Sequence, residues 1–171
     1  MEEQRSQERS PILPSNVPAF SLADQNAKEP LQTRVAHWLL LLLTAVYFSA
    51  YSLSFVFGLI TGGSWPNGNL SVLATAVATG FILLGLVIRR RWVVAFACAY
   101  WGISFAYDVV IRGISYGRPS GALGATVDFF IIVLVLFNRK VYSRGSAKPV
   151  LLVAALVLGL ADNGFAFLDG Q

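Results

Sequence analysis

The stretch LGLADNGFAF, residues 158–167, places an acid and an amide inside an otherwise apolar run. The run begins at Val150, and Asp162 and Asn163 stand side by side within it. If the run ended at Leu160 and ADNG formed a turn, its eleven residues would be too few to cross a bilayer, since a span needs about 20 residues. How this stretch folds therefore decides whether the chain has four spans or five.

Insertion energies favour a span despite the acid. Residues 150–168 contain eleven Val, Leu and Phe residues, which together contribute about −3 to −7 kcal/mol on the insertion scale. One central Asp costs about 2.5–3.5 kcal/mol on that scale. Residues 121–137 carry Asp128 and also hold eleven large apolar residues. We therefore predict that both segments cross, and a chain of four spans is the alternative.

The composition of the whole chain is that of a membrane protein. Charged residues make up 13% of the 171 residues, and the mean hydropathy is +0.63, whereas soluble domains carry about 25% charged residues. The sequence predicts an all-α membrane protein, a bundle of five transmembrane helices at residues 35–60, 70–88, 92–111, 121–137 and 150–168. Residues 1–34 are polar, mixed in charge and interrupted by proline, which favours a flexible cytoplasmic tail.

The basic residues indicate an orientation for these spans. With the N-terminus inside, 11 of the 13 Lys and Arg residues fall on the cytoplasmic side, where membrane proteins concentrate them. These are Arg5, Arg9, Lys28, Arg34, Arg89, Arg90, Arg91, Arg139, Lys140, Arg144 and Lys148. We predict an N-in, C-out, multi-pass protein of a cytoplasmic (inner) membrane, in a bacterium. The net charge of +4 then needs no nucleic-acid partner.

This topology brings three intramembrane acids to a similar depth, near the outer end of their spans. Asp108 has Arg112 four residues later on the same helical face. Polar residues inside spans turn toward the bundle or a water-filled cavity. The predicted polar site consists of Ser104, Tyr107, Asp108, Arg112, Asp128, Asp162 and Asn163. Whether these residues bind a solute, relay protons or only hold helices together is left open by the sequence.

Small residues precede two of the acids and predict close helix contacts. Gly121 and Gly124 share a helix face with Asp128, and Gly159 lies one turn before Asp162 and Asn163. Such spacing lets another helix approach closely. Hydroxylated faces also occur on the first two spans, and we interpret them as packing surfaces; they include Tyr47, Tyr51, Ser71 and Thr75.

The sequence contains no pattern that predicts catalysis. His37 is the only histidine and Cys98 the only cysteine, so paired metal ligands of these types have no candidates. We therefore predict no catalytic residues, no bound cofactor or metal, and no enzymatic activity. The first functional hypothesis is a non-enzymatic subunit or an accessory or assembly factor of a membrane complex. It would contact the lipid bilayer, and other subunits or its own copies through small-residue faces.

The second functional hypothesis is a small transporter or a proton or cation channel. It depends on the intramembrane Asp residues, because ionisable groups inside a membrane are costly and commonly functional.

Overall fold

The computed structural model describes residues 30–61, 66–115, 119–142, 145–146 and 148–169. Within these ranges every regular element is a helix. The helices are α1 (Leu31–Thr61), α2 (Pro66–Val87), α3 (Trp92–Tyr107), a π-helical segment (Asp108–Ser115), α4 (Pro119–Phe137) and α5 (Pro149–Asp169). The flexible tail predicted at residues 1–34 lies outside the described residues, except that α1 already begins at Leu31.

Proline marks the start of three helices. Pro66, Pro119 and Pro149 are the first residues of α2, α4 and α5. At this position the ring holds φ at a helical value, and the missing N–H would have had no partner within the helix. The second predicted span begins at residue 70, which is also where the apolar part of this helix begins. The helix itself starts four residues earlier, because Pro66 can initiate a helix.

A tight reversal joins α2 to α3. Arg89 has a positive φ of 52°, and its backbone N–H donates to Leu86 O at 3.2 Å, while that of Arg90 donates to Gly85 O at 3.0 Å. This pair of hydrogen bonds is a Schellman motif, which ends a helix by satisfying its last carbonyl groups. The motif places the three arginines at residues 89–91 on the turn itself.

The helices pack in an order that differs from their order in the chain. α1 packs on α2, α2 on α5, α5 on α3, α3 on α4, and α4 again on α1. Helix α5 therefore separates α2 from α3 over most of their length, although the two are joined by the short turn. The core inside this ring is apolar and includes Leu40, Ile82, Phe96, Val135 and Ala155.

Large apolar side chains also cover the outside of the bundle. The exposed residues include Leu53, Phe57, Leu84, Leu123 and Leu160. Such a surface suits contact with lipid, because exposing apolar side chains to hydrocarbon has no free-energy cost. Within the described residues, four helices are long and apolar enough to span a membrane: Leu31–Thr61, Leu70–Val87, Trp92–Ile114 and Pro149–Leu168. These long apolar helices indicate a membrane protein.

The fourth predicted span is shorter than the others. Its apolar helix covers Gly121–Phe137 and falls in the range of 10–17 residues, at the lower limit for a span of roughly 17–25 residues. The alternative in which ADNG forms a turn is excluded, because α5 continues through it to Asp169. The structure therefore supports four of the five predicted spans, and it does not support the fourth one in the chain.

The basic connections lie together at one end of the bundle. His37 Nδ1, near the start of α1, lies 2.9 Å from the hydroxyl of Tyr142 in the α4–α5 connection. In the same connection, a Cβ added at Gly145 would lie 3.3 Å from Arg90 Nη1 on the α2–α3 turn. The start of α1 and the two arginine-bearing connections thus share one end of the bundle.

Replacement of Gly85 by alanine should loosen the contact between α2 and α3. A Cβ at Gly85 would lie 2.8 Å from Val93 Cβ, so Gly85→Ala should lower the free energy of unfolding by about 1–3 kcal/mol. Gly102→Ala is the matched control, since a Cβ there meets nothing within 4 Å and alanine favours helix. Unfolding by sodium dodecyl sulfate, followed by circular dichroism, measures both. Equal stability of the two variants would contradict the packing described.

Candidate functional site

A polar cavity of about 180 Å³ lies inside the bundle, away from the end that carries the basic connections. All five helices and the π-helical segment contribute to its wall. The lining residues are Tyr47, Tyr51, Ser71, Thr75, Tyr100, Trp101, Ser104, Asp108, Arg112, Gly124, Asp128, Asp162, Asn163 and Ala166. A cavity of this polarity among apolar helices is large enough for several water molecules or a small solute, since one water occupies about 30 Å³ in the liquid.

Asp162 of α5 joins two other helices through its carboxylate. Ser71 Oγ on α2 donates to Oδ1 at 2.6 Å, and the Tyr100 hydroxyl on α3 donates to Oδ2 at 2.7 Å. Each carboxylate oxygen thus accepts a hydrogen bond from a different helix. These short contacts compensate for the removal of the acid from water, and they fix the position of α5 between α2 and α3.

Asn163 completes this side of the cavity. Its Nδ2 donates to Gly159 O at 2.7 Å within α5 and to Ser104 Oγ on α3 at 3.4 Å. Gly159 permits this arrangement, because a Cβ there would lie 3.0 Å from Ile103 Cδ1 on α3. Gly159 therefore allows close contact between α5 and α3 of the same chain.

Asp108 and Arg112 form the ion pair that their spacing predicts. Arg112 Nη1 lies 3.2 Å from Asp108 Oδ1, with the carboxylate largely buried and the guanidinium partly exposed. The guanidinium also lies 5.4 Å from the centre of the Tyr107 ring, which adds a cation–π contact. Both charged residues belong to the π-helical segment, whereas the sequence predicts an ordinary helix up to residue 111.

Two glycines of α4 make room for the π-helical segment. A Cβ at Gly124 would overlap the carboxylate of Asp108, and a Cβ at Gly121 would lie 2.8 Å from Asp108 O and from Arg112 Cβ. The widened π turn and the bare backbone of α4 therefore fit each other closely. Segments of π-helix within α-helices occur frequently at functional sites. Hydrophobic periodicity does not predict where they occur.

Asp128 differs from the other two acids. It lies on α4, lines the cavity and is only 5% exposed. Among the residues that the structure describes, it has neither a hydrogen-bond partner nor an ion-pair partner. A buried carboxylate without a partner is costly. Asp128 therefore presents to the cavity a carboxylate that accepts no hydrogen bond from the described residues.

Aromatic side chains form another part of the wall. The ring centres of Tyr47 and Tyr51 lie 6.0 Å apart in a stacked arrangement, and Tyr47 meets Trp101 edge-on at 5.3 Å. Tyr100 also contacts Trp101 edge-on, at 5.2 Å. The indole N–H of Trp101 is buried and has no acceptor in the described part of the chain.

The structure brings together six of the seven residues singled out from the sequence. Ser104, Asp108, Arg112, Asp128, Asp162 and Asn163 all line the cavity. Tyr107 does not line it and instead contacts Arg112. Whether these residues perform a function stays a prediction.

Sequence reasoning missed the part of the wall contributed by α1 and α2. Tyr47, Tyr51, Ser71 and Thr75 line the cavity, although they had been interpreted as packing residues. Their spacing on one helix face was visible. The sequence does not show that this face borders the cavity, because that depends on which helices are neighbours.

Metal coordination has no candidate cluster in the described residues: no group of three or more His, Cys, Asp and Glu is placed to hold an ion. Comparison with protein-family models, with curated proteins and with solved structures found no match to this chain. The structure is a bundle of long apolar helices, which suggests a membrane protein, and it contains a cavity lined by three carboxylates.

Loss of the Tyr100 hydroxyl should weaken the junction at Asp162. Tyr100→Phe removes the 2.7 Å hydrogen bond to Oδ2 and should lower the free energy of unfolding by about 0.6–1.7 kcal/mol, the range for such bonds inside membranes. Combination with Ser71→Ala in a double-mutant cycle should show coupling, because both hydroxyls serve one carboxylate. Tyr51→Phe, which alters another tyrosine of the same cavity, is the control. A loss no larger than that of the control would argue against the bond.

Proposed function

We propose that this protein moves a proton or a small cation across a membrane, as a transporter or a channel that uses its intramembrane aspartates. The observation that carries the proposal is Asp128, a buried carboxylate that lines a polar cavity and has no partner among the described residues. A cation entering the cavity would offset the cost of that buried charge. Acids that face a cavity inside a membrane commonly mark an ion or proton pathway.

The charges around Asp128 support a cationic rather than an anionic solute. The cavity is lined by three carboxylates and one guanidinium, and Arg112 is already paired with Asp108. Asp162 is occupied by two hydroxyl donors. Fixed negative charge in a cavity attracts cations and opposes anions.

The topology that accompanies this function has five spans, with the N-terminus inside and the C-terminus outside, in a bacterial inner membrane. In this topology helix α4 is a short span. Its apolar part covers only Gly121–Phe137 and ends beside the basic α4–α5 connection. An odd number of crossings agrees with the gathering of the start of α1 and both basic connections at one end. The cavity then lies in the outer half of the bilayer.

The hypothesis of an accessory subunit stays a prediction with less support. It is based on short loops, on the absence of a catalytic pattern in the sequence, and on small-residue faces that would be free to meet partners. In the structure, Gly121 and Gly124 pack against the π-helical segment, and Gly159 packs against Ile103 of α3. These faces are occupied within the chain. Purification in mild detergent and identification of any stoichiometric co-purifying chain would test the subunit hypothesis directly.

Removal of the charge at Asp128 should strongly reduce transport while leaving the fold intact. In proteoliposomes with an imposed gradient of protons, sodium or potassium, Asp128→Asn should reduce flux by about tenfold or more, as expected for loss of a charged partner worth about 1.5–3 kcal/mol. Thr126→Val is the matched control, since Thr126 is exposed on the same helix and bonds only to Ala122 O within it. Undiminished flux in Asp128→Asn would refute the proposal.

Cysteine labelling should place the two ends of the chain in opposite compartments. In a Cys98→Ala background, which removes the only cysteine, an impermeant maleimide should label Gln171→Cys in intact bacterial cells. It should label Arg5→Cys only after the cells are permeabilised, because basic segments remain cytoplasmic. Labelling of both positions under the same condition would rule out an odd number of crossings.

A further inference from the structure

Asp128 is buried by the protein and is still reachable from the cavity. Its side chain lines the cavity, and the residue is only 5% exposed. It accepts no hydrogen bond from the described residues, yet neither of its oxygens is among the fully enclosed side-chain atoms. A water molecule that enters the cavity can therefore contact this carboxylate.

The wall around Asp128 carries titratable and charged groups on four other elements. They are Tyr47 and Tyr51 of α1, Tyr100 of α3, Asp108 and Arg112 of the π-helical segment, and Asp162 of α5. Helix α2 adds only the hydroxyls of Ser71 and Thr75. Three carboxylates thus share the cavity with one guanidinium, which is paired with Asp108. A proton bound to Asp128 makes that side chain neutral and removes part of the unfavourable buried charge.

A metal ion would find few ligands in this wall. Helices α1, α2, α4 and α5 pass the cavity as continuous α-helices, so their carbonyl groups stay bonded within the helix. Ion sites in channels and transporters commonly use carbonyl groups of looped or unwound backbone. In the part of the chain that the structure describes, no three His, Cys, Asp or Glu side chains are grouped to hold an ion either. A proton needs no such set of ligands, because a single carboxylate oxygen binds it covalently.

A layer of apolar side chains closes the cavity toward the basic end of the bundle. On each of the five helices, the residue seven positions from a cavity-lining residue in that direction is apolar and 0% exposed. These residues are Leu40, Ile82, Val93, Val135 and Ala155, which belong to one core cluster. Seven residues of helix extend about 10 Å. The layer offers no oxygen ligand to a metal ion, whereas a proton can cross such a distance along a transient file of water molecules.

We infer that the cation is the proton, and that it binds to the Asp128 carboxylate from water that enters the cavity. This inference rests on the proposed function and names its substrate. In uptake, a hydronium ion gives its proton to a carboxylate oxygen of Asp128, so that an O–H bond forms and a water molecule remains. In release, that O–H bond breaks and the proton returns to water.

Infrared difference spectroscopy of the full chain in phosphatidylcholine nanodiscs tests the binding of the proton. On acidification, the carbonyl band of a protonated carboxyl group should appear at a higher frequency than that of carboxyl groups in water, because Asp128 accepts no hydrogen bond from the described residues. Asp128→Asn should lose this band, and Asp128→Glu should shift it. Thr126→Val, on the exposed side of the same helix, should keep it. Spectra without a titrating band that depends on Asp128 would overturn the inference.

Flux measurements distinguish this inference from the proposed function. In proteoliposomes with valinomycin and equal potassium on both sides, a trapped pH dye measures proton influx and a tracer measures sodium influx. Asp128→Asn should lower proton influx by about tenfold or more, and Asp128→Glu should restore part of it, which partial unfolding would not do.

The combined results separate the two claims. Sodium influx that depends on Asp128, without proton influx, would overturn the proton as the substrate and leave cation transport in place. An infrared band that depends on Asp128, without influx of either cation, would support proton binding and refute transport. Absence of both the band and the fluxes would overturn both claims.

Discussion

Hydrocarbon offers no hydrogen bonds, so polar side chains carried into the bilayer turn toward partners within the protein or toward a cavity. The arrangement of this bundle follows from that constraint. Three aspartates lie on three different elements, and each must turn inward, because the outside of the bundle is covered by exposed apolar side chains. Asp162 is satisfied by hydroxyls and Asp108 by a guanidinium. The cavity is the space these inward-facing groups share.

Glycine determines how closely the acids can be enclosed. The carboxylate of Asp108 occupies the position that a side chain at residue 124 would fill, and Gly159 allows α5 to approach α3 at the level of Asn163. In soluble helices glycine is unfavourable, but inside a membrane it lets backbones approach. Here its role is more specific, because the space it leaves is filled by polar groups of a neighbouring element.

Much of the fold was accessible from the sequence because hydropathy dominates in a membrane. The apolar runs predicted all the helices, and the positions of Asp108, Asp128 and Asp162 relative to the span ends predicted a similar depth for them. The start of α2 at Pro66 and the π-helical segment at Asp108 were not accessible. Both depend on backbone geometry to which hydrophobic periodicity is insensitive. Ser71 and Tyr100 could be identified from the sequence as polar residues within spans. Their hydrogen bonds to Asp162 could not be predicted, because these depend on which helices are neighbours and no local sequence pattern determines that.

That helix order bears on how the protein is made. Helices α2 and α3 leave the ribosome before α5, yet α5 lies between them. The carboxylate of Asp162 is therefore synthesised after both hydroxyls whose hydrogen bonds it accepts. Until then Ser71 and Tyr100 lack the acceptor they have in the finished bundle. The site is therefore complete only after synthesis has passed residue 162, because Asp162 is the acceptor for both hydroxyls.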